Sequence, residues 1–252
     1  MSLFAPLEDL IAPPPPADRV AFLKAQPYAH RGLHGRGIIE NSRAAFSAAI
    51  ALGHGIETDV QAARDGEAMV FHDAALERLT ASTGDVAAHT PAELAQITLR
   101  GTTETIPQLP EILALVAARV PVLIEIKAKG PRVAPLCLSV RRALEGYCGD
   151  AAIMSFNPLV GAWFAENAAR IVRGLVVTEE GKRGTKGAVE RWASMAKAKP
   201  DFLAYDVRDL PSKFAGAARA RGIPVLTWTV RNTDAERRAF AHADEVIYEK
   251  PA

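Results

Sequence analysis

The feature that most constrains this chain is a repeated alternation of short β-type runs with longer amphipathic segments. The β-type runs fall at Tyr28–Arg31, Gly55–Gln61, Val120–Lys127, Ala151–Phe156, Ile171–Thr178, Phe202–Val207, Val225–Val230 and Glu245–Tyr248. Helical patterns between them cover about 41–52, 109–118, 131–146, 158–169, 184–198, 211–221 and 233–241, several behind cap-type residues such as Asn157-Pro158 and Thr233-Asp234. Strands that alternate with helices build crossover units, and crossover units make a parallel sheet. Eight such strands in roughly 230 residues predict an α/β chain closed as a (β/α)8 TIM barrel, a fold of about 250 residues. An open doubly wound sheet is the rival, but no GxGxxG follows the first strand.

Two stretches fall outside that rhythm. Residues 1–26 form an N-terminal extension whose proline run, Pro13–Pro16, predicts a stiff extended spacer, which leaves 27–252 for the barrel. Residues 74–107 are of mixed character around a short helical piece at Pro91–Ile97. So long an irregular segment predicts a small insertion after the second-strand hairpin, over the barrel mouth.

Charge and cysteine usage narrow the partners. With 30 Lys+Arg against 29 Asp+Glu there is no general basic field, which argues against nucleic acid or an anionic membrane as partner. Glu8 and Asp9 stand where a signal peptide would be basic, and no apolar run approaches the ~20 residues that span a bilayer. A cytoplasmic protein without stable membrane insertion is expected, and no feature assigns an oligomeric state. Cys137 and Cys148 form no CxxC, so neither a disulfide framework nor a zinc site is suggested. Both are expected to be buried as small apolar residues.

The chemistry concentrates in two strands. In Gly55-Ile-Glu-Thr-Asp-Val-Gln61, Glu57 and Asp59 are two apart and share a face. In Leu123-Ile-Glu-Ile-Lys127, Glu125 and Lys127 share one face while Val122, Ile124 and Ile126 take the other. Three carboxylates converging on a barrel mouth must meet a cation, and hard oxygen ligands suit one Mg²⁺ or Ca²⁺ better than zinc.

Asp65-Gly66 between two apolar runs signals a two-residue hairpin, whose arithmetic sets His72 opposite Asp59, beside the carboxylates. The first strand ends in Ala29-His30-Arg31-Gly32, which brings a second imidazole and a guanidinium suited to phosphate to a strand C-terminus. Two proton-transfer groups, an acidic cation site and two fixed positive charges at one mouth are the inventory of metal-assisted phosphoryl transfer.

The succession His30-Arg31-Gly32, Glu40-Asn41-Ser42 with Ala45-Phe46, Glu57-Thr58-Asp59, His72-Asp73, Pro107 before Leu109-Pro110-Glu111, Glu125-Ile126-Lys127, Ser155-Phe156 and Thr227-Trp228-Thr229 resembles the glycerophosphodiester phosphodiesterase family from about 28 to 250. The resemblance implies a barrel enzyme that hydrolyses glycerophosphodiesters, its small-molecule substrates, to sn-glycerol 3-phosphate and an alcohol with one bound divalent cation. It implies Glu57, Asp59 and Glu125 as metal ligands and His30 and His72 as the acid–base pair. Arg31 and Lys127 are its implied phosphate contacts. It also draws Trp228 towards substrate, although an aromatic face equally suits barrel packing; Phe156 is a second candidate for substrate contact, with core packing its favoured reading. The last strand departs from the pattern: Val246-Ile-Tyr-Glu-Lys250 replaces an aspartate-containing run, and no role is carried onto Tyr248, Glu249 or Lys250.

Other polar residues carry plainer expectations. His34, His54, His89 and His242 read as structural, His34 least firmly because it follows the His-Arg-Gly turn. Asn41 reads as the N-cap of the first helix. Trp163, Phe164 and Trp192 sit at helical spacing and read as packing. Alternatives on the same barrel are a lysophospholipid or other phospholipid-headgroup phosphodiesterase, a non-catalytic phosphate-ester binder, and a metal-dependent sugar isomerase. The His-Arg-Gly turn and Lys127 favour phosphate over a neutral sugar.

Overall fold

β-branched and leucine-rich runs at the predicted places become strands because their side chains are buried along the whole run, as in Val122–Ile126. The computed structural model describes residues 12–35 and 37–250, so Glu8 and Asp9 of the N-terminal extension lie outside the described residues. The elements are β1 (Tyr28–Ala29), α1 (Arg43–Ala51), β2 (Gly55–Ala62), β3 (Ala68–Val70), α2 (Pro91–Leu94), α3 (Leu109–Val116), β4 (Val122–Ile126), α4 (Ala134–Leu144), β5 (Ala151–Ser155), α5 (Pro158–Asn167), β6 (Val172–Val177), α6 (Thr185–Ala198), β7 (Phe202–Asp206), α7 (Lys213–Ala220), β8 (Val225–Val230), α8 (Thr233–His242) and β9 (Glu245–Tyr248). The sheet runs β1-β9-β8-β7-β6-β5-β4-β2-β3, and β1 also pairs with β2, so the order returns to its start. This is a (β/α)8 barrel, with β3 as an added hairpin strand antiparallel to β2.

The chain divides into two units, one comprising Tyr28–Ala151 with Glu249–Ala252, the other Ala152–Tyr248 with the segment up to Pro27. In the first, α3 buries Leu109, Ile112, Leu113 and Val116, one face at helical spacing, each worth about 1.5–3 kcal/mol when removed from water. Its 74–107 stretch has a cluster of its own, in which Leu76, Leu79, Val86, Leu94, Leu99 and Ile106 close around Met69 and Phe71 of the hairpin. Its helical piece is shorter than expected, Pro91–Leu94, opened by a capping box between Thr90 and Glu93.

In the second unit, Leu175, Leu203, Tyr205 and Val225 from the strands pack with Met195, Phe214 and Ala218 from the helices. Phe164 is fully buried and Trp192 packs against this cluster, as their spacing predicted. The N-terminal segment is docked there: a 3-10 helix, Asp18–Lys24, buries Val20 and Leu23. Arg19 donates to Asp201 Oδ2 at 3.0 Å and to the carbonyls of Ala169 and Ile171 at 2.9 and 3.1 Å. Among the described residues no helix is long and apolar enough to cross a membrane. One cysteine departs from expectation: Cys137 is buried, with its thiol pushed up to about 12, whereas Cys148 is exposed beyond the end of α4.

Candidate active site

The first strand is two residues long because the chain turns sharply after His30. Arg31 has φ 55° and Gly32 φ 76°. A Cβ on Gly32 would stand 2.8 Å from the main-chain carbon of Ala45, so only glycine lets the turn lie against α1. The turn aims the Arg31 main-chain N–H at Glu57 Oε2, at 3.0 Å.

Strand register does the rest. β2 and β4 run parallel with Asp59 beside Glu125, and Glu57, Asp59 and Glu125 are all buried. Each offers a carboxylate oxygen within 4.8 Å of the other two. Lys127 Nζ lies 2.8 Å from Glu125 Oε1 and 3.0 Å from Asp59 Oδ1, and Arg31 Nε lies 3.2 Å from Asp59 Oδ2. Three carboxylates thus face two cations. Glu57 Oε1 is buried with no hydrogen-bond partner, an arrangement that costs free energy unless a cation meets it. An all-oxygen set with a buried carboxyl oxygen left unpaired fits a hard divalent cation.

The charges shape each other. Burial pushes Glu57 well above the ordinary carboxylate range, and the neighbouring Asp59 and Glu125 push it further. Burial likewise raises Glu125 to about 6, against the pull of Lys127. Burial acts upward on Asp59 too, but Lys127 and Arg31 outweigh it and hold Asp59 at about 2. Lys127 itself is raised, because Asp59 and Glu125 overcome its burial.

The two histidines flank this cluster. His30 Nε2 lies 3.8 Å from Glu57 Oε2, while Nδ1 on the other side of the ring lies 2.5 Å from Glu249 Oε1. His72 pairs through Nδ1 with Asp73 Oδ1 at 2.7 Å. Burial lowers both imidazoles below their ordinary value.

The hairpin that carries His72 corrects the predicted register. Val60 pairs with Val70, so paired numbers add to 130, and Phe71, not His72, takes the place opposite Asp59, donating to its carbonyl at 3.1 Å. The loop has three residues, Arg64-Asp65-Gly66, closed by Ala63 N–H to Glu67 O at 2.9 Å, with Gly66 at φ 91°. His72 still reaches the cluster because the paired stretch ends at Val70 and no ladder fixes its side. Its charge acts on Asp59 directly.

The structure therefore brings His30, Arg31, Glu57, Asp59, His72, Glu125 and Lys127 together in the first unit. Trp228 and Phe156 belong to the second, where they meet each other edge to face with ring centroids 5.6 Å apart. Phe156 is 46% exposed, so it is not core, and Trp228 anchors its indole by donating to Ala204 O at 2.9 Å.

The chain matches the glycerophosphoryl diester phosphodiesterase family over residues 30–252. It belongs to that family. A glycerophosphodiester phosphodiesterase of Caldanaerobacter subterraneus subsp. tengcongensis is 28% identical over 240 residues, covering 91% of this chain and 96% of that protein. A phosphodiesterase of Oleispira antarctica, solved in complex with the product sn-glycerol-3-phosphate, is 23% identical with a TM-score of 0.78 over 90% of this chain and 93% of its own. The glycerophosphodiester phosphodiesterase of Thermotoga maritima is 24% identical with a TM-score of 0.71, over 88% and 94%. The two structural likenesses speak for the fold, and family membership places the chain among phosphoric diester hydrolases.

Within this family member, several residues join the site that sequence patterns left aside. Asn41 is not the helix cap: Ser42 is, accepting from Ala45 N–H, while Asn41 is buried at φ 56° and donates from Nδ2 to Asp59 Oδ2 at 3.0 Å. Its Oδ1 accepts from Thr58 Oγ1 at 2.8 Å. Glu40 takes Arg31 Nη1 at 2.8 Å and Arg78 Nη2 at 2.7 Å, and Arg78 also binds Asp73. Glu249 sits on His30, and His34, expected to be structural, has Nε2 4.0 Å from Glu249 Oε1. The hydrophilic Glu40-Asn41 pair before the first helix, the place of His34 after the His-Arg-Gly turn and the departure of the last strand at Glu249 are the available signals; Arg78 has none.

Proposed function

We propose that the chain hydrolyses glycerophosphodiesters to sn-glycerol 3-phosphate and an alcohol, with one Mg²⁺ or Ca²⁺ held by Glu57, Asp59 and Glu125. The observation that carries this reading is the buried carboxylate cluster with its unpartnered Glu57 oxygen, flanked by two imidazoles that each lean on a carboxylate. A divalent cation bound there supplies Lewis-acid polarisation of the phosphate and of the attacking hydroxyl.

The chain's own residues divide the proton work. Glu249 accepts the Nδ1 proton of neutral His30, which leaves the Nε2 lone pair facing the cluster as a base. In this scheme His30 removes the glycerol hydroxyl proton, the oxygen attacks phosphorus in line, and His72, supported by Asp73, protonates the departing alcohol. Water then opens the cyclic product with the two roles reversed. Arg31 and Lys127, already beside Asp59 and Glu125, neutralise the equatorial oxygens. Trp228 and Phe156 belong to this proposal as apolar contacts for substrate carbon atoms. A cytoplasmic enzyme acting on small diesters, with no nucleic-acid partner, completes it.

The test is release of glycerol 3-phosphate from a panel of glycerophosphodiesters, with chelator and with added Mg²⁺ or Ca²⁺, for wild type and Glu125→Ala. Metal-restored release that is lost in the variant supports the reading. No release from any member, with release from a lysophospholipid instead, moves the substrate to a lipid headgroup.

A further inference from the structure

We propose that His30, His34 and Glu249 form a second cation site, suited to a borderline transition metal such as Zn²⁺, and that its occupation disables His30. These residues offer donor atoms that all lie within 4.8 Å of one another. Glu249 Oε1 is 2.5 Å from His30 Nδ1 and 4.0 Å from His34 Nε2. Around one tetrahedral Zn²⁺, donors at roughly 2.0 Å from the ion stand roughly 3.3 Å apart, so the two Glu249 distances bracket the spacing, and the third pair, within 4.8 Å, comes to it with an adjustment of at most about 1.5 Å.

His34 Nε2 is the atom that points to a ligand. It is buried without a hydrogen-bond partner, although the ring keeps 23% of its surface exposed and gives an ion a way in from solvent. The donor chemistry separates this site from the carboxylate cluster. Two imidazole nitrogens and one carboxylate are the set that holds zinc in hydrolytic centres, whereas Glu57, Asp59 and Glu125 supply oxygen alone. Arg31 opposes a cation here, since its charge acts on His30, but its guanidinium is engaged by Glu40 and Asp59.

His30 belongs to both sites through opposite ring nitrogens. A neutral imidazole carries one proton: bonded to Glu249 it sits on Nδ1, and Nε2 is an acceptor. A cation on Nδ1 forces that same proton onto Nε2, so the ring gains and loses none, yet the nitrogen facing Glu57 becomes a donor. The base is then absent. This inhibitory half rests on the function proposed above; the binding half does not.

The experiment measures Zn²⁺ binding by competition with a chromophoric chelator, and initial rates at saturating Mg²⁺ against rising Zn²⁺. The full chain is used as wild type, His34→Ala and Glu57→Gln. With Mg²⁺ saturating, wild type takes up one equivalent of Zn²⁺ and loses turnover. His34→Ala, with each rate taken relative to its own turnover without Zn²⁺, needs at least about 100-fold more Zn²⁺ for both effects. Glu57→Gln, which damages the oxygen site, retains His34-dependent binding. Zn²⁺ sensitivity unchanged in His34→Ala would place the effect in the carboxylates and overturn the proposal, as would wild type binding no more Zn²⁺ than His34→Ala. His34-dependent binding in a protein inactive on every diester upholds the site and overturns the proposed function instead.

Discussion

His30 and Glu249, 219 positions apart in the chain, meet through a 2.5 Å hydrogen bond on the ring nitrogen that faces away from Glu57. A carboxylate there fixes which nitrogen carries the proton, so its removal should affect turnover more than binding. Glu249→Gln is expected to lower kcat by roughly 10–100-fold with little change in KM, and His30→Ala by roughly 10²–10⁴-fold. Glu249→Asp should recover part of the loss. A Glu249→Gln enzyme with normal kcat would show that the bond does no catalytic positioning.

Asn41 combines a left-handed backbone with a hydrogen bond to an ionised, fully buried carboxylate. Losing that bond costs about 1.5–3 kcal/mol, and an alanine at φ 56° costs about 1 kcal/mol more. Asn41→Gly loses the bond but not the conformation. It should therefore be more stable than Asn41→Ala by about 1 kcal/mol, measured as urea midpoints at equal m.

Gly32 offers a purely steric test beside the same turn. Gly32→Ala sets a Cβ against Ala45 and requires a residue with φ near 76° to carry a side chain. A loss of about 2–4 kcal/mol is expected, together with a fall in activity as the Arg31 N–H moves off Glu57. Thermal unfolding and assays of the residual folded fraction separate the two effects.

The carboxylates predict how stability responds to pH and to cation. Glu125 and Glu57 are raised in the folded protein, so their contribution to stability is full below the unfolded carboxylate range and is lost as pH rises through the folded value, about 6 for Glu125. Asp59, held at about 2, contributes above the unfolded range and loses that contribution only as pH falls towards 2. With chelator present, the site's contribution should therefore fall between about pH 4.5 and 7. Added Mg²⁺ or Ca²⁺ should raise Tm more at pH 7.5 than at pH 5, because protons compete for Glu125 at the lower pH. An equal shift at both pH values would mean that the cation binds elsewhere.

The barrel was legible because its strands and helices advertise themselves through local periodicity, and the three carboxylates because strand alternation fixes their common face. The residues that escaped did so for identifiable reasons. Asp65-Gly66 fits either the centre of a two-residue turn or the end of a three-residue loop, and only the closing bond from Ala63 N–H to Glu67 O distinguishes them. Asn41 and Ser42 are equally good caps on paper; burial beside Asp59 assigns one to the helix and the other to the carboxylate. Glu249 belongs to the segment that departs from the family pattern, and its partner lies at the other end of the chain, where no local rule reaches.

Arg78 belongs to the irregular 74–107 stretch, yet it grips Glu40, which grips Arg31, and it also holds the Asp73 that supports His72. The stretch is thus not a detachable ornament of this chain. A loop exchanged in without a guanidinium at position 78 takes a partner from Glu40 and from Asp73, the carboxylates that hold Arg31 and His72, whereas one that keeps residues 40, 73 and 78 together leaves both carboxylates anchored. The rest of the loop can be redesigned in this chain only as long as that one knot travels as a unit.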